Sequence, residues 1–325
     1  GTANSGTSLP VRDEVVMTDI SIRAMEPEDW AEVGALIRDS LNAWYESHAL
    51  GTRFPPDSDV TQWFCKIYEA MDPGCCVLAQ DIASGDLLAS CFYHPRPTHV
   101  SLGIMNVHPK AFGRGCAGQL LEWVTEFAAR RDQPVRLVSS ALNLDSYSLY
   151  TRAGFVPYGL FQTMSLAIPA EGFKPSGIDG DGIRAACLDD VPAVVALEGE
   201  ISGIERSQDY RHFLANDHGI WHMSVHEDEA GAIDGCLVAV VSPASRMLGP
   251  GIARNESIAA ALIAAELDRH RGYRPVWLVP ADAPGLVRQM YAWGARNVEM
   301  HVAQVLGEAQ PPAGIVMPTF MPETG

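Results

Sequence analysis

The run Val107-His-Pro-Lys-Ala-Phe-Gly-Arg-Gly-Cys-Ala-Gly-Gln-Leu-Leu121 has the make-up of a site for an anionic ligand. A β-type segment ends, small residues follow, and an apolar helical pattern begins. Glycine lets a backbone approach a ligand closely, and the free N–H groups of a helix's first turn attract phosphate oxygens. Phe112, Gly113, Arg114, Gly115, Cys116, Ala117 and Gly118 are therefore the expected phosphate cradle. The Arg114 guanidinium would add charge and a fork of donors. The same letters also fit a tight strand-to-helix turn that binds nothing. A Walker loop is excluded, because no Gly-Lys-Ser/Thr follows the last glycine. Gly113, Gly115 and Gly118 spell GxGxxG, but the strand before them is not the chain's first, so a dinucleotide fingerprint is a weak match.

A second constellation lies downstream, Asn143-Leu-Asp-Ser-Tyr-Ser-Leu-Tyr150-Thr-Arg-Ala-Gly154-Phe155. Together the two segments resemble the GNAT superfamily of N-acetyltransferases over about residues 20–169. In the family's loop pattern, Q/R-x-x-G-x-G/A after V-x-P, Val107, Pro109, Gly115 and Ala117 match, and Phe112 stands for Gln or Arg. In N-x-x-A-x-x-LY-x-x-x-GF, Ser146 replaces Ala. The resemblance implies acetyl-CoA as cofactor, held by the loop, by the strand backbone near Met105 and Val107, and by Asn143 and Ser146. Tyr150 would give a proton to the departing thiolate; a packed helix tyrosine is the plainer reading. The implied reaction is acetyl transfer to a primary amine of a small molecule, by direct attack in a ternary complex. Acyl transfer of this kind needs an amine deprotonated, an oxyanion held and a thiolate released. Many relatives carry a base glutamate on the strand leading to Val107, and Ser101–Val107 has none. His99 is the nearest group of suitable pKa, although an ordinary surface histidine fits as well. The acceptor pocket is expected in the loop after the first helix, where Trp44, Tyr45, Glu46 and Arg53 could cradle an amine or simply pack together. A non-catalytic acyl-CoA-binding or sensing protein is the alternative, and the glutamate-free strand suits it.

These residues need elements to place them. Periodicity predicts strand 20–24, helix 27–41, a loop with a second helix over 42–71, and a hairpin 76–81/87–94 turning at Ser84-Gly85-Asp86. Strand 99–107, helix 116–130, strand 135–140, helix 146–153 and strands within 156–168 follow. Ile22–Ile37 then aligns without gaps on Ile183–Glu198, with seven of sixteen positions identical. A self-match at domain length predicts two copies of one fold. The expected class is α/β (α+β), two tandem GNAT-like domains, each a mixed, mostly antiparallel twisted sheet flanked by helices. The expected boundaries are a flexible tail 1–16, a first domain 17–169, a Pro/Gly-rich linker 170–182 and a second domain 183–325. The second copy looks eroded. Its loop, Leu248-Gly-Pro-Gly-Ile-Ala-Arg-Asn255, lacks the R-G-x-G/A run, and Pro284 stands where Asn143 has its counterpart. Residues 311–325 read as a final edge strand plus a loose end.

The bulk properties narrow the partners. The net charge of −17 argues against general nucleic-acid binding and mildly favours cationic substrates. Seven scattered cysteines without CxxC spacing read as free thiols of a reducing, cytoplasmic protein, with no metal site. No apolar run is long enough to span a bilayer. A monomer or homodimer is expected.

Overall fold

A computed structural model describes residues 19–319, so the expected tail 1–16 lies outside the described residues. The first half contributes strands β1 (Ile20–Ala24), β2 (Cys76–Asp81), β3 (Leu87–Pro95), β4 (Val100–Val107), β5 (Val135–Ser140) and β6 (Val156–Ser165). Its helices are α1 (Trp30–Ser47), α2 (Gln62–Met71), α3 (Cys116–Ala129) and α4 (Leu144–Arg152). The second half contributes β7 (Ile183–Ala185), β8 (Trp221–Glu227), β9 (Ile233–Val241), β10 (Arg246–Ala253), β11 (Val276–Pro280), β12 (Arg296–Leu306) and β13 (Ile315–Met317). Its helices are α5 (Val191–Ser202), α6 (Ser207–Ala215), α7 (Glu256–Leu267) and α8 (Pro284–Ala292).

The sequence repeat is a structural repeat. Arg23 Nη1 bonds Asp29 Oδ2 at 2.7 Å, and Arg184 Nη2 bonds Asp190 Oδ1 at 2.8 Å, at equivalent positions of the two copies. Each aspartate also accepts a backbone N–H, from Glu26 and from Cys187, both at 2.8 Å. The same pair thus starts the first helix of each half, one carboxylate satisfying an orphan amide and an arginine at once.

The two sheets are one. The strand order is β1-β2-β3-β4-β5-β12-β6-β11-β10-β9-β8-β7, with β13 alongside β10. The halves exchange their last long strands: β12 of the second half pairs antiparallel with β5, and β6 of the first half pairs antiparallel with β11. The expected boundary at 169 therefore separates the sequence copies, while each sheet borrows a strand across it. A shared apolar core covers one face, joining Ile37, Phe64 and Phe92 to Val194, Phe213 and Met223. On the opposite face α3 and α4 cover the first half, and α7 and α8 the second. A buried ionic knot crosses the junction as well. Arg96 bonds Asp72, which follows α2 (2.8 and 3.0 Å), and both carboxylate oxygens of Asp209 of α6, while His94 Nδ1 bonds Asp72 at 2.6 Å. Burial alone would raise the Asp72 pKa, but His94 and Arg96 hold it below the usual carboxylate range.

Helix α1 runs past the expected end at 41 to Ser47. Asn42 would normally compete for its own backbone. Its Oδ1 instead accepts from Arg53 N (3.0 Å) and Phe54 N (2.8 Å), and its Nδ2 donates to Phe54 O (2.8 Å), so the helix continues and the following loop is tied to it. Among the described residues, no helix is long and apolar enough to cross a membrane, and the seven cysteines are free.

Candidate active site

Strands β4 and β5 pair in parallel only at Val100–Val135 and Ser101–Arg136, then part. A bulge in β4 helps open them. Cys91 of β3 faces Met105 and Tyr93 faces Leu102, so β4 carries one extra residue there. Gly103 sits at this bend, where a Cβ would meet Phe92 O at 2.8 Å and His94 Nε2 at 2.9 Å. The gap runs past Met105 and Val107 toward the start of α3, and among the described residues no strand fills it.

At the end of the gap the loop makes two left-handed turns, at Gly113 (φ +80°) and Gly115 (φ +81°). Gly115 precedes α3 and offers no capping side chain, so the first-turn amides of Cys116, Ala117 and Gly118 have no partner behind them. Nothing lies within 4 Å of a Cβ built on Gly113, Gly115 or Gly118. Gly118 is the informative one. It is helical and uncrowded, a position where glycine costs about 0.5–1 kcal/mol relative to alanine, unless something outside the chain comes close. His108 supports the approach, its Nδ1 accepting from Lys110 N at 3.1 Å.

The residues of the expected cradle lie together at this helix start, but they are not equivalent. Arg114 spends its amide on Ala111 O (3.2 Å) and one guanidinium nitrogen on Asp81 Oδ2 (2.6 Å), so part of its fork is turned to the β2–β3 hairpin. The Phe112 amide is likewise bonded, to Pro109 O at 3.4 Å, and its ring is exposed. The Cys116 thiol faces the core and its pKa is raised by burial, so this residue offers its amide alone. Asn143 caps α4, its Oδ1 accepting from Ser146 N at 3.0 Å, and only its Nδ2 faces other partners. Tyr150 is buried on α4, its ring 5.7 Å from that of Phe155.

His99 requires a correction. It sits before the paired end of β4, six residues from Met105 and so roughly 20 Å away at strand rise. It is fully buried, its Nδ1 2.9 Å from Thr98 Oγ1. Burial first, then Arg136, Arg206, Arg96 and His94, hold its pKa well below the histidine range. A side chain so placed meets no substrate in the gap.

The four acceptor-side residues divide. Trp44, Tyr45 and Glu46 form the last turn of α1 rather than a loop. Trp44 stacks on His48, with centroids 4.2 Å apart, and Glu46 turns outward to accept from Thr52 Oγ1 at 2.7 Å. Tyr45 and Arg53 meet, the guanidinium 5.7 Å from the ring centre. They also meet a residue that sequence reasoning missed. Glu299 of β12 lies close enough to Tyr45, Arg53, His48 and Ser140 to interact electrostatically with each. Its presence depends on strand exchange, which a residue pattern does not encode.

The second half departs from this pattern at each step. The expected loop 248–255 is mostly strand, since β10 runs to Ala253 through a cis Gly249–Pro250 bond, and α7 starts at Glu256. Strand β10 pairs with β11 at one position, Met247–Val276, and then parts from it as β4 does from β5. Here β13 enters beside β10, matching Gly251, Ile252 and Ala253 to Met317, Val316 and Ile315. The expected final edge strand is therefore an inserted one; residues 320–325 lie outside the described residues.

Two family patterns match the chain, the acetyltransferase (GNAT) family over residues 37–155 and an acetyltransferase (GNAT) domain over residues 194–314. The chain belongs to the GNAT superfamily. It is a tandem GNAT acyltransferase, of a fold that binds acyl-CoA. No curated protein sequence matches it. Its fold is similar to that of a Pyrococcus horikoshii protein assigned as an acetyltransferase (15% identity, TM-score 0.70, covering 94% of this chain and 97% of that one). A GCN5-related N-acetyltransferase from Sphaerobacter thermophilus is similar at 19% identity and TM-score 0.62, over 89% and 95%. A tandem GNAT protein from the clavulanic acid biosynthesis pathway aligns at 15% identity and TM-score 0.56, over 90% and 100%.

Proposed function

We propose that this tandem GNAT protein transfers the acetyl group of acetyl-CoA to a primary amine of a small molecule, by direct attack in a ternary complex at the first half's gap. The observation that carries the reading is the unfilled space between β4 and β5 ending at the uncapped first turn of α3. The backbone of Met105 to Val107 would hold the pantetheine arm as an added strand would be held. The amides of Gly113 and Gly115 to Gly118 would receive the pyrophosphate at the positive end of α3. Asn143 Nδ2 would reach the arm, and Tyr150 would protonate the departing thiolate. The acceptor would enter from the α1 side, between Tyr45 and Arg53.

Two measurements test the reading. Acetyl-CoA at a hundred times its Kd should stabilise the protein by about 2.7 kcal/mol. No thermal shift at millimolar acetyl-CoA would sink it. Tyr150→Phe should keep that binding and lose about two or more orders of magnitude in kcat; unchanged turnover would remove the general-acid role.

A further inference from the structure

The first half's own strands bring no base to the gap. Neither β4 (Val100–Val107) nor β5 (Val135–Ser140) carries a carboxylate, and His99 is at the wrong end. The exchanged strand does bring one. On β12, His301 stands opposite Ser140, and Met300 O accepts from Ala141 N at 2.8 Å, so Glu299 follows at the level where β5 ends. Residues two apart on a strand share a face. Glu299 therefore shares the face of His301 and of Ala303, which packs in the core beneath α1 and α2.

Its surroundings are unusual for a structural acid. The side chain is only 15% exposed, and His301 Nε2 lies 3.8 Å from its Oε1. No lysine or arginine among the described residues lies within 4.0 Å of it as a salt-bridge partner. Buried carboxylates are ordinarily paired. The groups that face it are Ser140 from β5, Arg53 and His48 from the α1–α2 loop, Tyr45 from α1 and His301 from its own strand. Together they enclose an acid that keeps a little exposure and interacts with both Tyr45 and Arg53, the pair beside which the acceptor is proposed to enter.

We propose that Glu299 is the general base of the first half's site, delivered by the second half through strand exchange. The proposal rests on the acetyl-transfer reading above. The acceptor ammonium gives its proton to the Glu299 carboxylate, and the amine nitrogen attacks the thioester carbonyl. As the tetrahedral intermediate collapses, the N–C bond remains, the C–S bond breaks with its electron pair on sulfur, Tyr150 supplies the thiolate's proton, and the nitrogen's second proton passes through water to restore the Tyr150 hydroxyl. Glu299 then returns its proton to water. Burial, the largest influence, raises the Glu299 pKa, against the opposing pull of Ser140, Arg53 and His48. A carboxylate moved up toward neutrality is a more effective base than an exposed one. Because the base must be ionised, activity falls as pH falls through this raised pKa.

The test follows thiol release from acetyl-CoA with L-lysine, spermidine, an aminoglycoside and a short peptide as amines, and with water alone. The fastest of these, water included, becomes the assay. Glu299→Gln is expected to lower kcat/KM about 10²–10⁴-fold, remove the acidic limb of the pH profile and leave the acetyl-CoA Kd unchanged. Glu299→Asp should recover part of the rate. A Glu299→Gln enzyme that binds acetyl-CoA normally, turns over within threefold of the parent and keeps the acidic limb would overturn the proposal alone. Failure of the parent protein to bind acetyl-CoA would overturn the underlying reading instead.

Discussion

After β4 the chain takes eight residues to reach α3, and after β10 it takes two to reach α7. The longer path lets Gly113 and Gly115 turn the backbone left-handed and leave α3 uncapped. The shorter one puts Asn255 at the helix start, where its Oδ1 accepts from Ile258 N at 3.0 Å. Glu256 occupies the first turn of α7, against Gly285 of α8. An open cleft of about 480 Å³ remains there, but Asp179, Asp181 and Glu256 line it. The positive end of α7 thus already has its anions and its cap, while that of α3 awaits them. The strand gaps differ in the same sense, since β13 lies beside β10 where β4 has no such neighbour. Tyr150 is buried, whereas its counterpart Tyr291 is exposed and donates to Gln162 at 3.1 Å. The second half's strand gap is occupied by β13 and its helix start by a cap and carboxylates, whereas the first half's gap and helix start have no such protein partners among the described residues.

The largest expected effect breaks this contrast from the first side. Gly118→Asp would set a carboxylate among the free amides of α3, as Glu256 is set at α7. Acetyl-CoA binding should fall at least about a hundredfold, which is about 2.8 kcal/mol at 1.4 kcal/mol per tenfold. The control is Glu256→Gln, which should leave affinity unchanged. Titration calorimetry reads both and should give one acetyl-CoA per chain. Two per chain would end the idea that the second gap is closed.

Much of this contrast was legible in the sequence. The loop letters, the asparagine and tyrosine spacing, and the loss of that run near Gly249 all pointed to one working site. The Arg23–Asp29 and Arg184–Asp190 pairs sit in the very alignment that revealed the repeat. What a local pattern does not record is which strand lies beside which. Residues 156–168 hold no hairpin turn before the linker, so β6 had no partner of its own, and that was the one sign of exchange. Glu299 was invisible for this reason, since its neighbours Tyr45 and Arg53 are some 250 residues away in the chain. His99 misled because polarity read as exposure; three arginines and a histidine surround it in the junction.

A second variant separates filling from binding. Met317 of β13 is buried against the core beneath α7. Met317→Ala should cost about 2–5 kcal/mol through lost contacts and the cavity left behind. Urea denaturation measures it, and the acetyl-CoA stoichiometry should stay at one, because the capped and acidic start of α7 remains. A second molecule bound would mean that β13 alone closes the site.

The smallest effect compares what the halves still share. The Asp29 pKa is lowered by Arg23, and that of Asp190 is held at about 2 by Arg184. A folded pKa below the unfolded one gives stability that is present above the unfolded value, near 4, and lost as pH falls toward the folded value. Both pairs are solvent-screened, so each is worth about 0.5–1 kcal/mol at neutral pH. Asp190 should be worth more, because Arg184 Nε is anchored by the charged Glu227 at 3.0 Å, whereas Arg23 Nε bonds the neutral Gln80 at 2.7 Å. Asp29→Asn and Asp190→Asn should therefore destabilise the protein modestly at pH 7, with the second change larger, and both differences should shrink from pH 4 toward pH 2. Equal losses at pH 7 would show that Glu227 adds nothing, and that the helix starts of the two halves have not diverged as their cofactor ends have.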